Sequence, residues 1–129
     1  MSHTATPAVP PQWLLQIFDE IDARKFGEGF GHLTEDTDLY LGAAHLHGVE
    51  AIKEFFLRGD KDRNVTHRVI ESWTADGGVH LTRGEITVAK KTEPDRVVHA
   101  PFMSIAYLEE GEPVRIKTMY VMSGRVDTG

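Results

Sequence analysis

The hydrophobic period changes once along the chain, and that change restricts the fold more than any other feature. Up to Leu57 the apolar residues recur at helical spacing: Trp13, Leu14, Ile17, Phe18 and Ile21, then Phe26, Phe30 and Leu33, then Val49, Ile52, Phe55 and Phe56. Beyond Arg63 the period is two, over Val65–Ala75, Val79–Lys90 and Arg96–Leu108, with a fourth stretch from Val114 to Met122. The breaks between them are turn chemistry: Asp76-Gly77-Gly78, Glu93-Pro94-Asp95 and Glu109-Glu110-Gly111-Glu112-Pro113. Helices followed by a meander give an α+β fold, a curved antiparallel sheet with the N-terminal helices on one face. Such a sheet wraps into a cone-shaped α+β barrel whose open end is a natural pocket.

The helical half divides further. Pro10 and Pro11 stand where a helix start tolerates them, so the first helix begins near Trp13. Asp22 reads as the N-cap of a second helix, Ala23 to Leu33, which Gly27, Gly29 and Gly31 weaken by about 1 kcal/mol each. Leu39-Tyr40-Leu41 reads as a short strand, and Gly48 opens a third helix, Val49 to Leu57. Residues 1–11 carry three prolines and no periodicity, so they read as a flexible tail before a single domain over 12–126.

Composition removes whole classes of function. A chain of 129 residues fits one domain. The absence of cysteine excludes disulfides, thiolate zinc sites and a cysteine nucleophile. Fourteen basic against twenty acidic residues, net −6, is the wrong sign for a nucleic-acid footprint. No apolar run reaches the roughly 18–20 residues of a membrane helix, and the start lacks a signal-peptide layout. A cytoplasmic domain with neither nucleic-acid nor membrane partners is expected.

Strand alternation sorts the polar candidates. A three-residue loop at Asp76-Gly77-Gly78 sets Ala75 opposite Val79, Trp73 opposite Leu81, Glu71 opposite Arg83, Val69 opposite Glu85 and His67 opposite Thr87. A two-residue loop would instead place His67 on the face of Ile86 and Val88, and a slip of one residue would reverse the faces. Later in the meander His99, Pro101, Met103, Ile105 and Tyr107 share a face, as do Ile116, Thr118, Tyr120 and Met122. His67, on a half-apolar strand, is the leading candidate for chemistry, because imidazole exchanges a proton near neutral pH. Arg83 and Glu85 are explained as readily by a rim salt bridge, and Asp19 by solvated charge. His45 and His47 lack a third ligand at recognisable spacing, so no metal is expected. Serine-nucleophile, phosphate-loop and dinucleotide motifs are missing too.

Local phrases add a resemblance. Leu33-Thr34-Glu35-Asp36, His47-Gly48-Val49-Glu50-Ala51-Ile52, Thr66-His67-Arg68-Val69 and Met119-Tyr120-Val121, in this order of elements, resemble the nuclear transport factor 2-like superfamily, in its SnoaL-like and scytalone dehydratase-like branch. Asp19, Tyr40 and His67 stand at positions comparable to the dehydratase's catalytic aspartate, tyrosine and histidine, whereas Phe18 replaces a second tyrosine and Glu85 lies near an expected histidine. A ketosteroid isomerase pattern would put its acids at Leu41 and Met103. Arg83-Gly84-Glu85 imitates a limonene epoxide hydrolase motif whose other acid would fall near Thr118. The resemblance implies a cofactor-free dehydratase, or an isomerase or cyclase, acting on a small apolar carbonyl compound. In it His67 is the base, Asp19 its orienter and Tyr40 the donor to the carbonyl. Trp13, Ile17, Phe56, Glu85, His99, Met103, Thr118 and Tyr120 are expected around the substrate. The rival is a non-catalytic binding module. The resemblance also implies a homodimer or other small homo-oligomer formed through the outer sheet face, with Val98, Ala100, Phe102 and Ala106 as its expected contacts.

Overall fold

A computed structural model describes residues 5–59 and 61–124, so the first four residues of the expected tail and the last two of the expected domain lie outside it. The elements run β1 (Thr6–Ala8), α1 (Gln12–Ala23), a 3-10 turn (Glu28–His32), β2 (Leu33–Leu41), β3 (Ala44–His47), α2 (Val49–Gly59), β4 (Arg63–Ala75), β5 (Val79–Lys90), β6 (Val98–Leu108) and β7 (Ile116–Ser123). The strands form one unclosed sheet in the order β1-β4-β5-β6-β7-β2-β3. It is curved and mixed: the meander is antiparallel as expected, but β2 pairs with β7 in parallel. No helix among the described residues is long and apolar enough to cross a membrane.

Three local expectations are corrected. Part of the tail is a strand, Thr6–Ala8 pairing with Ser72–Thr74 along the edge of β4. Leu39–Leu41 is the end of a longer strand that turns back as a hairpin through β3. The second helix is absent: α1 runs on through Asp22, ends with Arg24 in the left-handed region at φ 53°, and only a short 3-10 turn follows.

The reason is Glu20, a buried carboxylate that claims the backbone donors a helix would have used. It accepts N–H bonds from Gly27 at 2.7 Å, Gly29 at 2.7 Å and Phe30 at 3.1 Å. Gly29 is required there, since a Cβ would come within 2.7 Å of Glu20 Oε2 and 3.0 Å of the Gln16 backbone. Burial works to raise the Glu20 pKa, but these three bonds and one from Gln16 outweigh it and hold the carboxyl below its ordinary value. Its folded-state pKa thus lies under the unfolded one, so the stabilisation is full above the unfolded value and is lost as pH falls through the folded value. Glu20→Gln should lower stability by about 3 kcal/mol at neutral pH. In urea unfolding the gap between variant and parent should narrow as the buffer is taken through the carboxylate range.

A β-bulge decides which residues face inward. From Ala75 to Glu71 the β4–β5 register is the expected one, with Trp73 opposite Leu81 and Glu71 opposite Arg83. The ladder then shifts between Val69 and Glu71, so that Val69 pairs with Gly84 and His67 with Ile86 rather than Thr87. The extra residue turns the first half of β4 over. His67 therefore shares the inner face with Ile86 and Val88, while Glu71, Trp73, Arg83 and Glu85 point outward. On β6 the inner residues are Ala100, Phe102, Ser104 and Ala106, all 4% exposed or less, so Ala100, Phe102 and Ala106 belong to the core and not to an outer contact face.

Candidate active site

α1 lays Leu14, Ile17, Phe18 and Ile21 on the inner face of the sheet, and Ile52 and Phe56 of α2 close the space from the other side. Between them remains an apolar cavity of about 30 Å³ lined by Ile17, Phe18, Ile21, Phe30, Leu33, Leu39, Leu41, Ile52, Phe56, His67, Met119 and Val121. Eleven of these twelve side chains are apolar and the twelfth is His67. The single polar wall is thus the residue singled out for acid–base chemistry.

His67 is held from every side. Its Nδ1 lies 2.6 Å from Oδ1 of Asp22, and its own backbone N–H donates to Oδ2 of the same carboxylate at 2.7 Å. Both side chains are largely buried, 9% exposed for His67 and 15% for Asp22. The ring stacks on Phe18 with centroids 4.9 Å apart, and Phe102 stands at 86° to it at 5.2 Å. A carboxylate can only accept, so Nδ1 carries the proton of the neutral ring and Nε2 is left as a bare acceptor. Nε2 has no hydrogen-bond partner among the described residues. This is the arrangement of a general base with its orienting carboxylate.

The carboxylate that bonds His67 is Asp22, not Asp19. Asp19 is exposed on the far side of α1. Asp22 follows Phe18 by four residues, one helical turn, so the ring that stacks on His67 and the carboxylate that bonds it come from one stripe. The same spacing is visible in the sequence, where Asp22 also has the chemistry of a helix cap.

Tyr40 is also misplaced by the expectation. It sits on the outer face, stacked on His45 at 4.3 Å and on Tyr120 at 4.9 Å, away from His67. Of the residues expected around a substrate, Ile17 and Phe56 line the cavity. Trp13 does not: it packs edge-on to His80 at 5.3 Å near the start of α1. Glu85, His99, Met103, Thr118 and Tyr120 lie outside with Tyr40, because the bulge and the alternation of β5, β6 and β7 turn them from the core. There Glu85 and Thr87 flank the His99 ring at 3.4 and 3.2 Å, and Arg83 pairs with Glu71 at 2.6 Å. His45 and His47 also face outward, and both bond Oδ1 of Asp38 at 2.8 Å. The hydrogen bonds from His47 and then His45 lower the Asp38 pKa, and the bond to Asp38 raises that of His47.

No protein-family model matches the chain. No curated protein matches its sequence either. Solved structures do match it in shape. A candidate polyketide cyclase from Xanthomonas campestris pv. campestris superposes with a TM-score of 0.71 at 12% identity, over 85% of this chain and 86% of the other. An NTF2-like protein of unknown function from Exiguobacterium sp. 255-15 gives 0.71 at 17% identity, over 89% and 100%. An LEH-like epoxide hydrolase from M. tuberculosis gives 0.65 at 13%, over 88% and 80%. With the helix-covered curved sheet, these likenesses show that the chain has the cone-shaped α+β fold of nuclear transport factor 2-like proteins.

Proposed function

We propose that the chain is a cofactor-free proton-transfer enzyme for a small, largely apolar carbonyl compound, with dehydration of a β-hydroxy carbonyl as its reaction. One observation carries this reading: among the described residues that line the cavity the one ionisable side chain is an imidazole whose Nδ1 is tied to Asp22 and whose Nε2 has no partner. Nε2 takes the proton from the carbon next to the carbonyl, and the electron pair becomes an enolate. The enolate collapses to re-form the carbonyl and a new C=C bond, and the C–O bond at the β-carbon breaks. The departing hydroxide takes the proton back from Nε2 and leaves as water. No described lining residue donates to the enolate oxygen, so the acidity that the carbonyl confers on the C–H sets the rate. The likeness to a candidate polyketide cyclase supports a second outcome with the same base, in which the enolate attacks a carbonyl and closes a ring. Hydrolysis is less favoured, because the eleven apolar walls give a nucleophilic water one partner in place of several.

The test is a panel of β-hydroxy ketones assayed for the absorbance of the conjugated product. Turnover that falls by about 10²–10⁴ in His67→Ala supports the base. Turnover indifferent to His67 sinks it, and no turnover with any member leaves the binding-module reading standing.

Self-association through the outer face is part of the same proposal. Trp73, Leu81, Ile105, Tyr120, Tyr40 and His45 are direct cross-strand neighbours in one row over six strands. Met103 and Met122, paired in the next row, are 46% and 52% exposed. A contiguous row of this extent, largely apolar and aromatic, is costly to leave in water and suits a second copy of the chain. Ile105→Glu, at the centre of the row, should turn a dimer into a monomer in sedimentation velocity without loss of helix signal. A parent chain that already sediments as a monomer would refute the dimer.

A further inference from the structure

We infer that one buried water molecule bridges Ser104 and His80 on the inner face of the sheet, at a polar site separate from the His67 cavity. That face carries one row of hydroxyls. Ser72 on β4, Thr82 on β5 and Ser104 on β6 are direct cross-strand neighbours, each 4% exposed or less. His80 stands two residues before Thr82, so it points inward in the next row, between Thr74 and Ala106. The hydroxyl row is poorly satisfied from within. Ser72 Oγ donates to the Leu81 carbonyl at 3.3 Å and lies 3.4 Å from Thr82 Oγ1, both long for hydroxyl bonds. Ser104 Oγ and His80 Nδ1 have no partner among the described residues, and neither atom touches bulk solvent.

A buried polar atom left unpaired forfeits the bonds it makes to water in the unfolded chain, so two orphans side by side favour a shared partner. Ser104 and His80 are diagonal neighbours across β5 and β6, a relation that sets Cβ atoms about 7 Å apart. One water with two bonds of about 2.8 Å each spans up to about 5.6 Å, and both polar atoms reach beyond their Cβ. Thr82, next to both, supplies a third contact, the number that buried waters usually make. The chemistry selects water over an ion. Burial holds the His80 pKa below its ordinary value, so the ring is neutral, and the hydroxyls carry no charge. An ion there would find no counter-charge among these side chains. Water can donate to one orphan and accept from the other, whichever nitrogen of the His80 ring holds the proton. Trp13 packs edge-on to that ring at 5.3 Å, so the water fixes the surface on which the start of α1 rests.

A high-resolution crystal structure of the full chain and water–amide NOE spectra in solution test the site. One solvent peak within hydrogen-bond reach of both Ser104 Oγ and His80 Nδ1 is expected, with cross-peaks from long-lived water to the amide protons of Thr82 and Ser104. In Ser104→Val the added methyls take the place of the water, and both signals should vanish. Ser104→Ala, a milder change, removes one contact and should weaken the cross-peaks. A direct bond between Ser104 and His80, two separate waters, an ion or no density at the site would each overturn the inference, as would cross-peaks unchanged in Ser104→Ala. None of these outcomes bears on His67 as a base, which stands or falls by the turnover of its own variants.

Discussion

Replacing Asp22 by asparagine is expected to reduce turnover about as severely as removing His67, by about 10²–10⁴, although the substitution is isosteric. Oδ2 of Asp22 accepts the backbone N–H of His67, and Oδ1 accepts from Nδ1. A backbone N–H can only donate, so the asparagine must turn its carbonyl toward it. Its NH2 group then faces Nδ1, which has to become the acceptor, and the imidazole proton moves to Nε2. The base would become a donor. Steady-state kinetics should show the loss in kcat, with the circular dichroism spectrum of the parent retained. Activity within a few-fold of the parent would mean that Asp22 serves only to hold the backbone of β4.

Gly84→Ala is expected to have the largest effect on stability of any one-methyl change, about 3 kcal/mol or more. Gly84 sits opposite Val69 beside the bulge, and a Cβ there would collide with the carbonyl oxygen of Arg68 and with Cε1 of Phe102. Neither neighbour yields easily, since one is backbone and the other is a core ring 1% exposed. Phe102 packs against both His67 and Phe18, so the displacement would also disturb the imidazole. Gly31→Ala is the matched control. Nothing lies within 4 Å of its added Cβ, and its effect should stay within about 0.5 kcal/mol. Urea unfolding of the two variants side by side measures the difference. Equal midpoints would show that the sheet relaxes around position 84.

The sequence showed the meander, the two helices that cover it and the histidine in the cavity, because each rests on a period or on a single residue type. The limits of β5 coincide with the apolar alternation from Val79 to Lys90. What stayed hidden depends on contacts between distant residues. Glu20 removes the second helix through bonds to residues seven to ten positions away, which no local propensity encodes. The bulge beside Ile70 flips His67 relative to Glu85, and no residue type around it announces an extra position. Once that flip is missed, alternation carries the error onward. Alternation without the bulge puts Glu85, His99, Met103, Thr118 and Tyr120 inward and Phe102 outward, the reverse of their places. Tyr40 lies opposite Tyr120 in the β2–β7 register and so faces outward with it, in a stack.

The protonation of the His67 ring tests the central claim without a substrate. In a chain labelled with 15N-histidine, the His67 signals are identified by their loss in His67→Ala. At a pH where the ring is neutral, its proton should reside on Nδ1, with Nε2 unprotonated. The same spectrum of Asp22→Asn should show the opposite tautomer. A proton on Nε2 in the parent chain would contradict the claim, because Nε2 would then be a donor and the base assigned to this site would not exist.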